Sequence, residues 1–153
     1  MGTEIERKFL VNGLDWERNH YRSIKQGYLC TEPDRTVRIR LIDSEAFITI
    51  KGRSRGITRS EYEYPIPTNE GQEMLRMCTG HIISKKRFIV NYNNTIWEVD
   101  QFEGAHKGLV IAEVELQSEQ QEFEKPSWLG KEVSTDPKFT NSYLAQHPYS
   151  ASN

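Results

Sequence analysis

Thr3-Glu4-Ile5-Glu6-Arg7-Lys8-Phe9-Leu10 alternates strictly, with Glu4, Glu6 and Lys8 at the even positions and Ile5, Arg7 and Phe9 between them. Side chains two apart on a β-strand share a face, so this stretch reads as a strand with one ionic and one largely apolar face. The pattern returns along the chain. Arg38 and Arg40 oppose Val37, Ile39 and Leu41; Thr49 and Lys51 oppose Ile48 and Ile50; Glu61 and Glu63 oppose Tyr62 and Tyr64. Lys85 and Arg87 oppose Lys86, Phe88 and Val90, Asp100 shares a face with Glu98, and Glu113 and Glu115 oppose Val114 and Leu116.

Working outward from these stripes, strand-like alternation covers residues 3–10, 24–30, 35–42, 45–52, 58–66, 83–91, 95–102 and 109–117, eight strands in all. Asp43-Ser44-Glu45 and Asn93-Asn94 read as hairpin turns. Asn69 to Met77 reads as a helix with an acidic first turn, ending near Gly80. Gln117 to Lys125 reads as a second helix stopped by Pro126, and Asp136-Pro137-Lys138-Phe139 as the start of a third that runs to about Gln146. No repeat, low-complexity run or linker divides residues 1–153, so a single domain is expected.

Composition narrows the function classes. The 153 residues carry 20 Lys and Arg against 22 Asp and Glu, a net charge of −2, with 36% hydrophobic and 27% charged residues. That suits a domain with a real core and argues against a protein that coats nucleic acid electrostatically. No apolar run approaches the ~20 residues needed to span a bilayer. The opening residues Met-Gly-Thr-Glu-Ile-Glu match neither a signal peptide nor a myristoylation signal, so a cytoplasmic location is expected. Cys30 and Cys78 form no Cys-x-x-Cys pair, and His20, His81, His106 and His147 have no ligand spacing. Trp16, Trp97 and Trp128 are expected to pack, and Gly104-Ala105-His106-Lys107-Gly108 to form a loop rather than a phosphate cradle.

An ionic face that merely meets water is satisfied by any mixture of charges, because an exposed pair contributes only about 0 to 1 kcal/mol. That is the plainer account of any single stripe. The sorting of like charges onto separate strands points further, to a site. Closing about eight antiparallel strands into a barrel gathers the stripes around one axis, with the apolar faces outward under the helices. This inverts the usual small barrel, whose interior is apolar. The expected fold class is therefore mainly β (α+β): an eight-stranded antiparallel closed β-barrel with a few short covering helices.

Such an interior must be paired, hydrated or neutralised by ligand and metal. Lys8, Lys25, Arg38, Arg40, Lys51, Lys85 and Arg87 are matched one for one by Glu4, Glu6, Glu61, Glu63, Asp100, Glu113 and Glu115. An anion alone gains no net charge there. Carboxylates are hard ligands for Mg²⁺ or Mn²⁺, while Arg and Lys hold phosphate oxygens. Two divalent ions would balance the roughly four or five negative charges of a linear triphosphate.

Glu4-Ile5-Glu6-Arg7-Lys8 is a Glu-x-Glu-x-Lys motif and resembles the signature of the CYTH superfamily, the triphosphate tunnel metalloenzymes. Gln26-Gly27-Tyr28, Val37-Arg38-Ile39-Arg40, Thr49-Ile50-Lys51, Glu61-Tyr62-Glu63, Lys85-Lys86-Arg87, Glu98-Val99-Asp100 and Glu113-Val114-Glu115 follow in that family's order. The length, with Gly130-Lys131-Glu132-Val133-Ser134 and Asn141-Ser142-Tyr143-Leu144-Ala145 near the end, is similar to the compact bacterial branch. The resemblance implies an eight-stranded tunnel that acts on triphosphates with Mg²⁺ or Mn²⁺, with inorganic tripolyphosphate the first choice of substrate. It implies metal positions at Glu4, Glu6, Glu61, Glu63, Asp100, Glu113 and Glu115, and phosphate positions at Lys8, Arg38, Arg40, Lys51, Lys85 and Arg87. Lys25 and Tyr28 join them less directly; Tyr28 would bond a phosphate or the attacking water, or simply pack. Glu4, Glu6, Lys8 and Tyr28 form the implied catalytic group, and Lys131 or Lys138 is a candidate for a lysine carried into the tunnel from a C-terminal helix. Asp100 either touches metal or orients a basic side chain.

Three other functions compete. ATP or thiamine triphosphate would need an aromatic slot at the tunnel mouth, for a hydrolase or a cyclase alike. A non-catalytic polyphosphate-binding module would need fewer carboxylates than this chain carries. An RNA-binding barrel would interleave aromatics with basic residues, whereas Tyr62, Tyr64 and Phe88 fall on the opposite face. Apolar outer residues beyond what short helices cover would be hidden in a homodimer.

Overall fold

A computed structural model describes residues 2–149. Nine strands form its sheet: β1 (Gly2–Val11), β2 (Tyr21–Glu32), β3 (Arg35–Ile42), β4 (Glu45–Gly52), β5 (Thr58–Ile66), β6 (Thr79–Tyr92), β7 (Thr95–Phe102), β8 (Val110–Glu115) and β9 (Leu129–Glu132). They lie in the order β5-β4-β3-β2-β6-β7-β8-β1-β9, and β5 also pairs with β1. That pairing closes eight antiparallel strands into a barrel. β1 is the closing stave: Gly2 to Ile5 pair with β5, and Glu6 to Leu10 pair with β8 on the other side. β9, which the alternation pattern does not announce, extends the β5 side by pairing with Phe9 and Val11.

Hairpin turns form where short polar residues accept a left-handed backbone. Asn93 and Asn94 both have positive φ, 47° and 64°, as a two-residue primed turn between β6 and β7 requires. α1 (Thr68–Arg76) lies on β3 and β4. Gly71 is what lets it approach, since a Cβ there would stand 2.6 Å from the Ala46 Cβ.

Two expectations fail in instructive ways. Residues 117–125 are not helical. Among them Phe123 is the one apolar side chain, too little to dock a helix; an irregular path instead lays its ring 5.4 Å from Trp97 and 6.3 Å from Phe9. The third helix is broken into a 3-10 turn, Pro137–Phe139, and α2 (Asn141–Gln146). Thr140 adopts an extended backbone between them and caps α2, its hydroxyl accepting from the Tyr143 N–H. Short helices cover part of the barrel's outside as expected, α1 over β3 and β4 and a 3-10 turn elsewhere. Phe9, Phe88, Trp97, Val99 and Val114 pack beneath Trp16 of an N-terminal 3-10 turn, Asp15–Arg18, and beneath Phe123 and Trp128.

The inward face is not ionic throughout. Along four neighbouring strands it changes from charge to hydrocarbon within two residues: Lys8 to Leu10, Glu113 to Ile111, Asp100 to Phe102 and Lys85 to Ile83. Ile83, Phe102, Ile111 and Tyr28 join Leu144 and Ala145 of α2 in a second apolar cluster. This cluster packs one part of the barrel interior with hydrocarbon and leaves a charged cavity in the rest. No helix among the described residues is long and apolar enough to cross a membrane.

Candidate functional site

The cavity has a volume of about 190 Å³, and its walls are almost wholly polar. β1 contributes Glu4, Glu6 and Lys8; β3, Arg38 and Arg40; β4, Lys51; β5, Glu61 and Glu63; β6 and β7, Arg87 and Glu98; β8, Glu113 and Glu115. The two-residue period of the strands therefore brings together nearly the whole expected set. Tyr28 reaches the wall from β2.

Two expected residues stand elsewhere. Lys25 is exposed on the outer face, beside Leu41 and α1, because Ile24, Gln26 and Tyr28 take the inward positions of β2. Lys85 is fully buried behind the wall, against Asp100. Lys131 and Lys138 are exposed and do not line the cavity.

Burial is graded. Glu63 and Glu115 are exposed and Glu61 and Glu98 half-buried, whereas Arg38, Arg40 and Asp100 are buried. Thus the more exposed wall positions are acids, while the interior holds cations together with Glu4, Asp100 and Glu113. The Lys51 ammonium lies 3.1 Å from Glu4 and 3.3 Å from Glu61. Lys8 stands 3.7 Å from Glu6 and 4.0 Å from Glu113. Arg38 donates to the Thr49 hydroxyl at 3.1 Å and to Glu63 at 3.3 Å, while its buried Nε has no acceptor.

Asp100 is bound on both oxygens. Arg87 donates to them at 2.8 and 2.9 Å, and the Lys85 ammonium lies 2.7 Å away. Burial would raise the Asp100 carboxyl, but Arg87 and Lys85 hold it well below the ordinary carboxylate range. Burial lowers the Lys85 amine to about 7 despite Asp100. Arg40 is pushed down to about 9, by burial and then by Arg38 and Arg87. Among the described residues it has no carboxylate partner within salt-bridge distance; its Nε donates to the Gln26 carbonyl oxygen at 2.8 Å.

Glu6 is the opposite case. Burial and then Glu113 push its carboxyl up to about 8, against the pull of Lys8. Glu4 rises too, from burial offset by Lys51. Among the described residues no three acids converge on one point, yet Glu4, Glu6 and Glu113 are hard oxygen donors of one cavity: Glu4 is paired with Lys51, Glu113 is held low by Lys8 and Arg87 against its burial, and Glu6 is left short of positive charge. In donor type the set fits a hard divalent cation.

Several wall residues escaped the sequence reading. Arg59 precedes Glu61 and Glu63 on the same face of β5, so its spacing was a usable signal. Thr140, Asn141 and Ser142, around the start of α2, had no such signal because they sit on a short capped turn outside any alternation.

A model of the CYTH domain matches residues 2–143. The chain is 43% identical to an inorganic triphosphatase of Acetivibrio thermocellus, with 97% of each chain covered. It is 35% identical to an inorganic triphosphatase of Nitrosomonas europaea, over 94% of this chain and 97% of that one. Its fold is similar to a crystal structure of an inorganic triphosphatase, with a TM-score of 0.69 at 33% identity and 95% of each chain covered.

Proposed function

The chain belongs to the CYTH domain family, and from that premise we propose that it hydrolyses inorganic tripolyphosphate to diphosphate and phosphate in a divalent-metal-dependent reaction inside the charged barrel, with residues 1–153 acting as one catalytic domain. The observation that carries this reading is a cavity in which buried guanidinium groups face carboxylates short of a cation. Relatives named inorganic triphosphatase at 43% and 35% identity support the choice of substrate.

Arg38, Arg40, Arg87, Lys8 and Lys51 hold the phosphate oxygens. Arg38, with a buried Nε lacking an acceptor, and Arg40, with no carboxylate partner among the described residues, bind them most directly. Glu4, Glu6, Glu113 and Glu115 would hold Mg²⁺ or Mn²⁺, with Glu61 and Glu63 near a second ion. Bound there, the metal would supply charge neutralisation and would acidify a water. Asp100 orients Arg87 and Lys85 rather than meeting metal, since both its oxygens are occupied. Water adds to the terminal phosphorus and gives a proton to a neighbouring carboxylate. The bridging P–O bond breaks, and diphosphate leaves with the bonding pair. Lys8 and Tyr28 steady the oxyanion, so that catalysis is chiefly positioning and electrostatics.

A cytoplasmic protein is part of this proposal. So is a homodimer covering Ile50, Tyr62 and Tyr64, which are 40, 48 and 56% exposed; a monomer by light scattering would remove the dimer. The function is tested by phosphate release from tripolyphosphate, ATP and thiamine triphosphate with Mg²⁺, Mn²⁺ or chelator. Metal-dependent turnover fastest on tripolyphosphate is expected. Turnover fastest on an organic triphosphate, or none by folded protein, would overturn it.

A further inference from the structure

Gln26 is completely buried within a wall of ions, and Asn141 enters that wall from the other end of the chain. Their amides form one continuous relay. Arg40 Nε donates to Gln26 Oε1 at 2.8 Å, Gln26 Nε2 donates to Asn141 Oδ1 at 2.9 Å, and Lys85 Nζ donates to the same Asn141 oxygen at 3.1 Å. The Arg40 guanidinium is an obligate donor, and the Lys85 nitrogen donates because it lies between two acceptors, Asp100 at 2.7 Å and the Asn141 oxygen at 3.1 Å. Each amide can therefore face only one way without setting donor against donor. The relay links a cation on β3 to a cation on β6 through a residue of α2.

α2 is held so that Asn141 arrives in one place. A Cβ on Gly80, whose φ is +75°, would fall 2.3 Å from the Ala145 carbonyl oxygen, so the helix backbone rests directly on β6. The buried His106 ring donates from Nε2 to the Leu144 carbonyl, and Leu144 and Ala145 are sealed in the apolar cluster. Thr140 caps the helix one residue before Asn141. The Gly80, His106 and Leu144 anchors lie outside the ionic wall, whereas Thr140 and Asn141 lie within it.

We propose that Asn141 is a positioning residue for substrate: through Gln26 it fixes Arg40, and directly it fixes Lys85, so that the groups meeting the phosphate chain stand preorganised. The Arg40 Nε is committed to the relay, which leaves both its Nη groups for an oxyanion. Lys85 is clamped between Asp100 and Asn141 and holds the Arg87–Asp100 pair in place from behind. Without the relay, Arg40 must be ordered by the substrate itself, and Arg87 loses part of its support from behind, so the loss is read in binding rather than in folding.

This inference rests on the triphosphatase reading, and the experiment separates the two. Steady-state kinetics on tripolyphosphate are measured for the full chain and for Asn141→Leu, Gln26→Leu and the double variant, each with a melting curve. Either single substitution should raise KM about tenfold with kcat within about threefold. The double variant should be no worse than the poorer single one, because both cut the same relay. Phe123→Ala, which loosens the outer cluster at Trp97 without touching α2 or the amides, should lower the melting temperature and leave KM unchanged. Multiplying effects in the double variant, or an unchanged KM with a lower kcat in Asn141→Leu, would overturn the proposal. Should Asn141→Leu fail to fold, Gln26→Glu serves in its place: its carboxylate would neutralise Arg40 and raise KM at unchanged melting temperature, and an unchanged KM would overturn the proposal. A wild-type protein that does not turn over tripolyphosphate would overturn the functional reading, and the relay's role with it.

Discussion

Glu6 and Asp100 are both acids on inward faces of one barrel, and their surroundings are opposite. Asp100 is 1% exposed and fully satisfied, its two oxygens shared by Arg87 and Lys85. Glu6 has the Lys8 ammonium only at 3.7 Å and Glu113 as a repelling neighbour, and its carboxyl is raised to about 8. The contrast separates two uses of an inward-facing acid. One neutralises charge already in the protein and holds it in place; the other leaves charge deficient until a cation arrives.

Removing each acid should therefore fail differently. Glu6→Gln is expected to cut metal-dependent turnover by roughly a thousandfold, about 4 kcal/mol of barrier, while the melting temperature does not fall; retained turnover at saturating Mg²⁺ would erase the distinction. Asp100→Asn strands two buried cations and should cost about 3 kcal/mol of stability, read from the denaturant midpoint. An unchanged midpoint would show that Arg87 and Lys85 find other partners.

A pH series sharpens the same comparison. Because the folded Glu6 carboxyl titrates above its ordinary value of 4.5, at about 8, the folded state holds the extra proton across that window. Stability without metal should then fall as pH rises from about 4.5 to about 8, by up to about 5 kcal/mol, and Glu6→Gln should flatten much of that slope. Denaturant titrations at several pH values in chelator check this, and an equal slope in the variant would contradict it. The smallest effect belongs to Lys25→Ala: with its side chain outside the barrel, kcat and KM should stay within about twofold of the wild type. A tenfold change would place Lys25 in the site.

What the sequence disclosed follows from the period of a strand. Glu4, Glu6 and Lys8, or Glu61 and Glu63, declare their shared face because nothing but alternation is needed to place them. Lys25 misled because charge type outweighed parity: Gln26 and Tyr28 were the inward residues of β2, so position 25 had to face out. The apolar floor was also written in the same alternation, in the step from Lys8 to Leu10 and from Asp100 to Phe102, but only the register between strands turns four separate steps into one cluster. β9 is four residues, Leu-Gly-Lys-Glu, with no alternation to betray it. Asn141 was hidden most deeply, since its place depends on a Thr140 cap, a glycine that admits the helix backbone and contacts more than a hundred residues apart in sequence.

The division between a satisfied and an unsatisfied acid is tested most directly by calorimetric titration of Mn²⁺ into the protein at pH 7, repeated in buffers of different ionisation enthalpy. If the raised Glu6 carboxyl is part of the cation site, binding should release about one proton in the wild type and close to none in Glu6→Gln, with affinity reduced in the variant. Equal affinity and equal proton release in the two proteins would contradict the account.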